Sequence, residues 1–325
     1  MVVAVTWEPG HRLPVAPDEP VGSDAFVGAA GRAGRELPTA VHDALVDFQD
    51  QAPVEGAMLI RGVPVGALPA TPADPTDPVD KDATSELALL AVARRLGQPV
   101  GYLPEHGGDL VQNLVPTVAG AERQVSTSSK VDLAFHTETA FHPHAPRYLV
   151  LLCLRGHPDA RTTLCSVHDV ISALDAETID VLRQPRFTCG VDESFLDGMP
   201  QHADARHPSI AVAARLDARG PLPVIGGTAE RPTFWFDAEL MRGTDPAAQA
   251  ALDQLGRAVA DRQSAVVLEA GDCLVVDNTV AVHGRSSYAA RFDGTDRWLQ
   301  RSFVVSDLAS SAADRNGRII ATSFR

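Results

Sequence analysis

His136, Thr137 and Glu138 place a histidine and a carboxylate one residue apart, and a third possible ligand, His283, stands far down the chain. On extended backbone, residues i and i+2 point to the same face, so the imidazole and the carboxylate can cap one side of a divalent metal while His283 completes the set. Three ligands on one side leave the other side open, which suits a non-haem Fe(II) that must bind further ligands. A three-ligand zinc centre draws on the same residue types. Two arginines follow in D-R-W-L-Q-R, Arg297 and Arg301. A planar guanidinium matches a carboxylate in two parallel hydrogen bonds, and on a regular strand these two Cα atoms lie ~13 Å apart, so they would serve different carboxylates.

The elements needed to hold these residues are mostly strands. From about residue 110 onward, short β-branched or apolar runs bounded by turns recur at 110–115, 148–154, 162–167, 210–214, 233–236, 265–268, 273–276 and 299–305. Helical spacing interrupts them at 170–182 and 245–262, and precedes them at 37–48 and 86–96. Residues 57–62 predict a short strand, 1–35 an irregular arm or early strand, and the Pro- and Asp-rich 69–82 a surface loop. A Gly271-Asp272 turn leads into an apolar strand and then to His283 in a glycine-punctuated connection. A mainly β fold with flanking helices is expected, a double-stranded β-helix or jelly roll whose two sheets enclose a pocket. One domain over 1–325 follows from the need for distant ligands to converge, with arm and helical support over 1–95, the jelly-roll core over 100–305, and a candidate lid in the polar stretch 192–209.

Composition narrows the partners. The 325-residue chain is 45% apolar and can bury a full core. Its formal charge of −14, with no concentrated basic stretch, excludes a phosphate-backbone partner and favours a small molecule. No apolar run approaches the ~20 residues needed to span a bilayer, and the N-terminus lacks the basic and apolar regions of a leader, so a cytoplasmic protein is expected. Cys153, Cys165, Cys189 and Cys273 form no C-x-x-C pair and read as buried thiols.

The segments around the triad and the arginines are F-H-T-E-T-A-F-H-P-H, G-D-C-L-V-V-D-N, H-G-R and R-F-D-G-T-D-R-W-L-Q-R. Together they resemble the clavaminate synthase-like branch of the Fe(II)/2-oxoglutarate-dependent oxygenases, which includes free-amino-acid β-hydroxylases. The resemblance is clearest over residues 100–305. It implies Fe(II) on His136, Glu138 and His283, the distal carboxylate of 2-oxoglutarate on Arg297 with Thr163 beside it, and the substrate carboxylate on Arg301. The choice of Thr163 over Thr162 rests on an inferred one-residue gap. Gln112 and Ser126 resemble positions near the α-amino group, and Asp237 one that meets the substrate side chain. Arginine-specific members carry two acids separated by one residue where this chain has Trp235-Phe236-Asp237. A single carboxylate with a cation–π contact from Trp235 is the expected arrangement, with a helix N-cap as the other reading of Asp237. The implied reaction uses O₂ and 2-oxoglutarate to hydroxylate a free L-α-amino acid with a polar or basic side chain at C3, as in antibiotic biosynthesis. Reaction at C4, ring closure or a carrier-bound substrate would use the same residues. A zinc-dependent hydrolase and a non-catalytic metal-binding jelly roll are the alternatives from other classes.

Overall fold

In the computed structural model, which describes residues 2–192, 195 and 221–321, the strand Tyr148–Arg155 is buried on both faces, as its unbroken apolar run requires. Tyr148, Val150, Leu152 and Leu154 pack outward against the helices Asp24–Ala33, Thr39–Gln51 and Thr84–Leu96. Leu149, Leu151 and Cys153 point the other way, into a second core shared with Leu164, Leu274 and Val276. The alternation continues in Cys273–Asp277, whose Cys273 and Val275 join the helical layer while Leu274 and Val276 join the inner core.

Among the described residues the chain is mainly β with six helices. The larger sheet runs Val3–Thr6, Ala57–Arg61, Cys273–Asp277, Tyr148–Arg155, Trp298–Val305, Gln98–Tyr102, Ile319–Ile320, Arg315–Asn316, and Gln112–Leu114 also pairs with Trp298–Val305. A smaller sheet runs Ser264–Val267, Arg161–Ser166, Ala281–Arg285, Leu133–His136. A third apolar cluster lies behind it, where Pro246–Arg262 packs with Val167–Ala173 and Ala176–Leu182.

Three differences from the sequence reading have local causes. Residues 1–35 hold a strand and the helix Asp24–Ala33, started by Ser23, whose hydroxyl accepts from Phe26 N at 3.1 Å. Phe26, Val27, Ala30 and Ala33 form its buried face, and it packs closely on Thr84–Leu96; a Cβ on Gly34, just past its end, would come 2.7 Å from the Ala91 carbonyl. The expected 170–182 helix is two, because Leu174 is extended and Asp175 caps a new start by accepting from Thr178 N at 2.7 Å. His283 sits inside the strand Ala281–Arg285 rather than in a connection. Gly284 marks close approach, since a Cβ there would lie 2.6 Å from the Leu133 carbonyl. The candidate lid at 192–209 lies outside the described residues except for Asp192 and Phe195, and the strand expected at 210–214 lies wholly outside them. No helix among the described residues is long and apolar enough to cross a membrane.

The four cysteines are free thiols. Burial pushes Cys153, Cys165 and Cys189 up to about 12 and raises Cys273 as well. A raised thiol keeps its proton below its folded pKa, so thiolate is scarce near pH 8. Native protein at pH 8 is expected to resist iodoacetamide for a period in which unfolded protein alkylates at all four positions. Rapid native alkylation would contradict this.

Candidate active site

Antiparallel register places His283 opposite His136. The rings lie 4.4 Å apart between centroids, and the His136 Nε2 and His283 Nε2 atoms stand 3.9 and 3.4 Å from Glu138 Oε2. One donor atom from each residue falls within 4.8 Å of the others. His136 Nδ1 lies 2.8 Å from the Ala134 carbonyl, which selects the tautomer that donates there and leaves Nε2 free to bind a metal. Glu138 follows the end of its strand, and its peptide is held by Asn278. The Asn278 Oδ1 accepts from Glu138 N at 2.7 Å, while Nδ2 donates to the Glu138 and Pro146 carbonyls at 3.1 and 3.0 Å. Asn278 is fully buried. The clamp fixes the turn just before Thr139, which takes a left-handed φ of 50°.

The protonation of this cluster suits a cation. Burial opposes charge on His136, but Glu138 and Asp237 outweigh it and lift the imidazole to about 9. Burial and the neighbouring His136 push His283 down to about 4. Burial would raise Glu138, yet Arg301 and the two histidines hold it well below the usual carboxylate range. Two imidazoles and a carboxylate thus gather around one positive charge, and the donor set fits a divalent metal.

The three residues open onto a cavity of about 300 Å³ whose wall includes Arg297 and Arg301. Arg297, Leu299 and Arg301 alternate inward along Trp298–Val305, while Trp298 and Gln300 turn to the other face. Arg301 is buried and donates to Glu138 Oε1 at 3.2 Å, to both Glu105 oxygens at 3.2 and 3.3 Å, and twice to Gln112 Oε1 at 3.0 and 2.6 Å. Burial, with the repulsion of Glu138, raises Glu105 to about 7 against the pull of Arg301. Among the described residues no carboxylate lies within ion-pair distance of Arg297.

Ser126 and Asp237 line the same cavity. Asp237 Oδ1 also caps a turn, rather than a helix, accepting from Glu239 N and Leu240 N at 2.9 and 2.7 Å. Three expectations change. Thr163 does not line the cavity and Thr162 does, because Thr162 pairs with Arg285 on the inward face, while the Thr163 side chain lies on the other, where a Cβ built on its partner Gly284 would meet Thr163 Oγ1 at 3.0 Å. Trp235 is not on the cavity wall: the strand Pro232–Phe234 ends before it, so the i, i+2 relation to Asp237 fails. Gln112 is not on the wall either, and its carbonyl is taken by Arg301. Glu105, Asp192, Asn278 and Arg285 were not anticipated as contributors. Asn278 stood within the quoted G-D-C-L-V-V-D-N segment, but nothing in its spacing pointed at Glu138.

The profile of the family described as taurine catabolism dioxygenase TauD, TfdA family, matches residues 19–303. The L-lysine 3-hydroxylase of Catenulispora acidiphila is 36% identical over 92% of this chain and 81% of its own length. The L-asparagine oxygenase of Streptomyces coelicolor is 34% identical over 97% of this chain and 89% of its own. A crystal structure of the non-heme iron oxygenase OrfP in complex with Fe, succinate and (3S)-hydroxy-L-Arg superposes with a TM-score of 0.85 at 31% identity, covering 92% of each chain. The similarity extends well into the first hundred residues, beyond the segment in which sequence motifs were recognisable.

Asn278→Ala removes both side-chain bonds to the Glu138 peptide and the one to the Pro146 carbonyl. It is expected to weaken binding of Mn(II), a redox-stable probe of the cluster, about 10- to 100-fold in a calorimetric titration. Unchanged affinity would mean that the rest of the turn holds Glu138 without Asn278.

Proposed function

The chain belongs to the TauD/TfdA dioxygenase family, within its clavaminate synthase-like branch, and from that premise we propose that it hydroxylates a free L-α-amino acid with a polar or basic side chain at C3. It is a non-haem Fe(II)- and 2-oxoglutarate-dependent oxygenase. In our reading the two sheets form a jelly roll within a single domain, and His136, Glu138 and His283 hold Fe(II) at its mouth. The observation that carries the proposal is the convergence of these three donors on one cavity with two buried arginines that differ in their partners.

Fe(II) and 2-oxoglutarate, when bound, supply the oxidising chemistry by which O₂ converts a C–H to a C–OH, with succinate and CO₂ as co-products. The residues of the chain bind, orient and shield. Arg297, with no carboxylate partner among the described residues, takes the distal carboxylate of 2-oxoglutarate, and Thr162 donates beside it. Arg301 and Glu105 form a buried ion pair on the cavity wall, and the α-carboxylate and α-ammonium of an amino acid match that pair with opposite charges. Arg301 also touches Glu138 at 3.2 Å. An amino acid anchored there keeps its backbone end beside the metal ligands, so C3 is the side-chain carbon brought nearest to them. Asp237, across the cavity, meets the side chain through the oxygen that does not cap its turn, and Ser126 adds a hydroxyl. Phe141, Leu149 and Leu151 exclude water from the space between.

The relatives' substrates support the choice of class: the proteins named above are a lysine 3-hydroxylase, an asparagine oxygenase and an oxygenase crystallised with a 3-hydroxylated arginine.

The test is anaerobic loading with Fe(II) and 2-oxoglutarate, then O₂ exposure against a panel of free amino acids, scoring succinate and a product one oxygen heavier. One polar or basic amino acid is expected to give both, with the new hydroxyl on C3 by NMR. Arg297→Ala is expected to raise the KM for 2-oxoglutarate about 30-fold or more, the cost of removing one partner of a buried charge pair. Succinate at the same low rate with every amino acid would overturn the free-amino-acid reading, and turnover without 2-oxoglutarate would favour a hydrolase.

A further inference from the structure

Arg285, two residues beyond His283, has no place in the scheme above. Its side chain is 4% exposed and contributes to the cavity wall. Its fork is spent on neutral acceptors: Nη1 donates to the Ser128 carbonyl, and Nη2 donates to Ser128 Oγ at 2.7 Å and the Val131 carbonyl at 3.3 Å, while the buried Nε has no acceptor. Tyr288 lies under the guanidinium, 5.1 Å from its ring centroid. The carboxylate whose field reaches Arg285, Asp132, is on an exposed residue and accepts from Ser287 N. On the adjoining wall Arg297 is 6% exposed. Among the described residues neither arginine has a carboxylate within ion-pair distance, and Asp296, next in sequence to Arg297, spends its oxygens on the backbone of Arg291 and Asp293.

Two like charges buried on adjoining walls, without a counter-ion among the described residues, are unfavourable unless something anionic binds between or beside them. We propose that Arg285 is a second cation of the cosubstrate site, acting by its charge behind Arg297 to make the cavity select a 2-oxo acid that carries a distal carboxylate. The role differs from that of Arg297. With its fork held by the 128–131 segment, Arg285 contributes field rather than a direct pair of hydrogen bonds, and the neutral acceptors keep it in place without cancelling its charge. Its strand pairing opposite Thr162 puts that charge on the same inward face as the threonine.

The proposal rests on 2-oxoglutarate being the cosubstrate, and the experiment separates the two claims. Dissociation constants are measured by anaerobic calorimetry on Fe(II)-loaded protein for 2-oxoglutarate and for 2-oxobutyrate, which has the same chelating end and no distal carboxylate. Arg297→Gln is expected to weaken 2-oxoglutarate selectively; wild-type protein that fails to prefer 2-oxoglutarate would overturn the cosubstrate reading itself. Arg285→Gln is expected to weaken 2-oxoglutarate roughly 10-fold or more, the effect of one unit charge at several ångströms in a partly screened interior, and to leave 2-oxobutyrate within about 2-fold. Arg285→Lys, which keeps the charge and breaks the fork, is expected to retain most of the preference, and it carries the test if the glutamine variant does not fold. Equal loss of both oxo acids, equal loss in the lysine and glutamine variants, or no loss at all would overturn the proposal and leave Arg285 as a staple for the 128–131 segment.

Discussion

Antiparallel pairing sets His283 opposite His136 and Arg285 opposite Thr162, so one register in the smaller sheet decides which side chains enter the cavity. Side chains on a strand alternate, and a slip of the Ala281–Arg285 strand by one residue would turn both His283 and Arg285 to the outer face. The register is held from both sides. Thr163 and Gly284 pack back to back, where only a residue without a Cβ leaves room for the Leu133 carbonyl. The third apolar cluster locks the outer face with Cys165, Val282 and Leu255. Glu138 lies beyond the ladder and takes its position from Asn278, at the end of the apolar Cys273–Asp277 strand. The donors therefore depend on two structures: a ladder for the histidines and a buried carboxamide for the carboxylate.

Charge is distributed unevenly in a chain of net −14. Three arginines line the space between the sheets, yet among the described residues only Arg301 is answered by carboxylates, Glu105 and Glu138. In the proposed reading, Arg285 and Arg297 are left to a dianionic cosubstrate, while the Arg301–Glu105 pair suits a zwitterion.

Much of this was legible in the sequence because strand chemistry is periodic. The four-residue spacing of Arg297 and Arg301 and the apolar runs of the central strands follow the alternation of extended backbone; both arginines reach the cavity, as do His136 and Glu138, although Glu138 lies past the end of its strand. What escaped depended on features without a period. Thr162 could be told from Thr163 only by knowing the partner strand. Trp235 failed because its strand stops at Phe234. Glu105 lies after the strand Gln98–Tyr102, before the left-handed His106, and pairs with an arginine from a distant strand. The Asp24–Ala33 helix buries Phe26, Val27, Ala30 and Ala33 on one face, a short stripe that the Pro- and Gly-rich sequence around it hid.

The most direct test of the account is an anaerobic optical titration of Fe(II)-loaded protein with 2-oxoglutarate, following the visible charge-transfer band that a 2-oxo acid gives only when it chelates iron. The wild-type chain is expected to develop the band to saturation, and His136→Ala and His283→Ala to lose it while remaining folded. A band of equal strength in those variants, or none in wild-type protein that has bound iron, would contradict the assignment of the three donors on which the rest of the site is built.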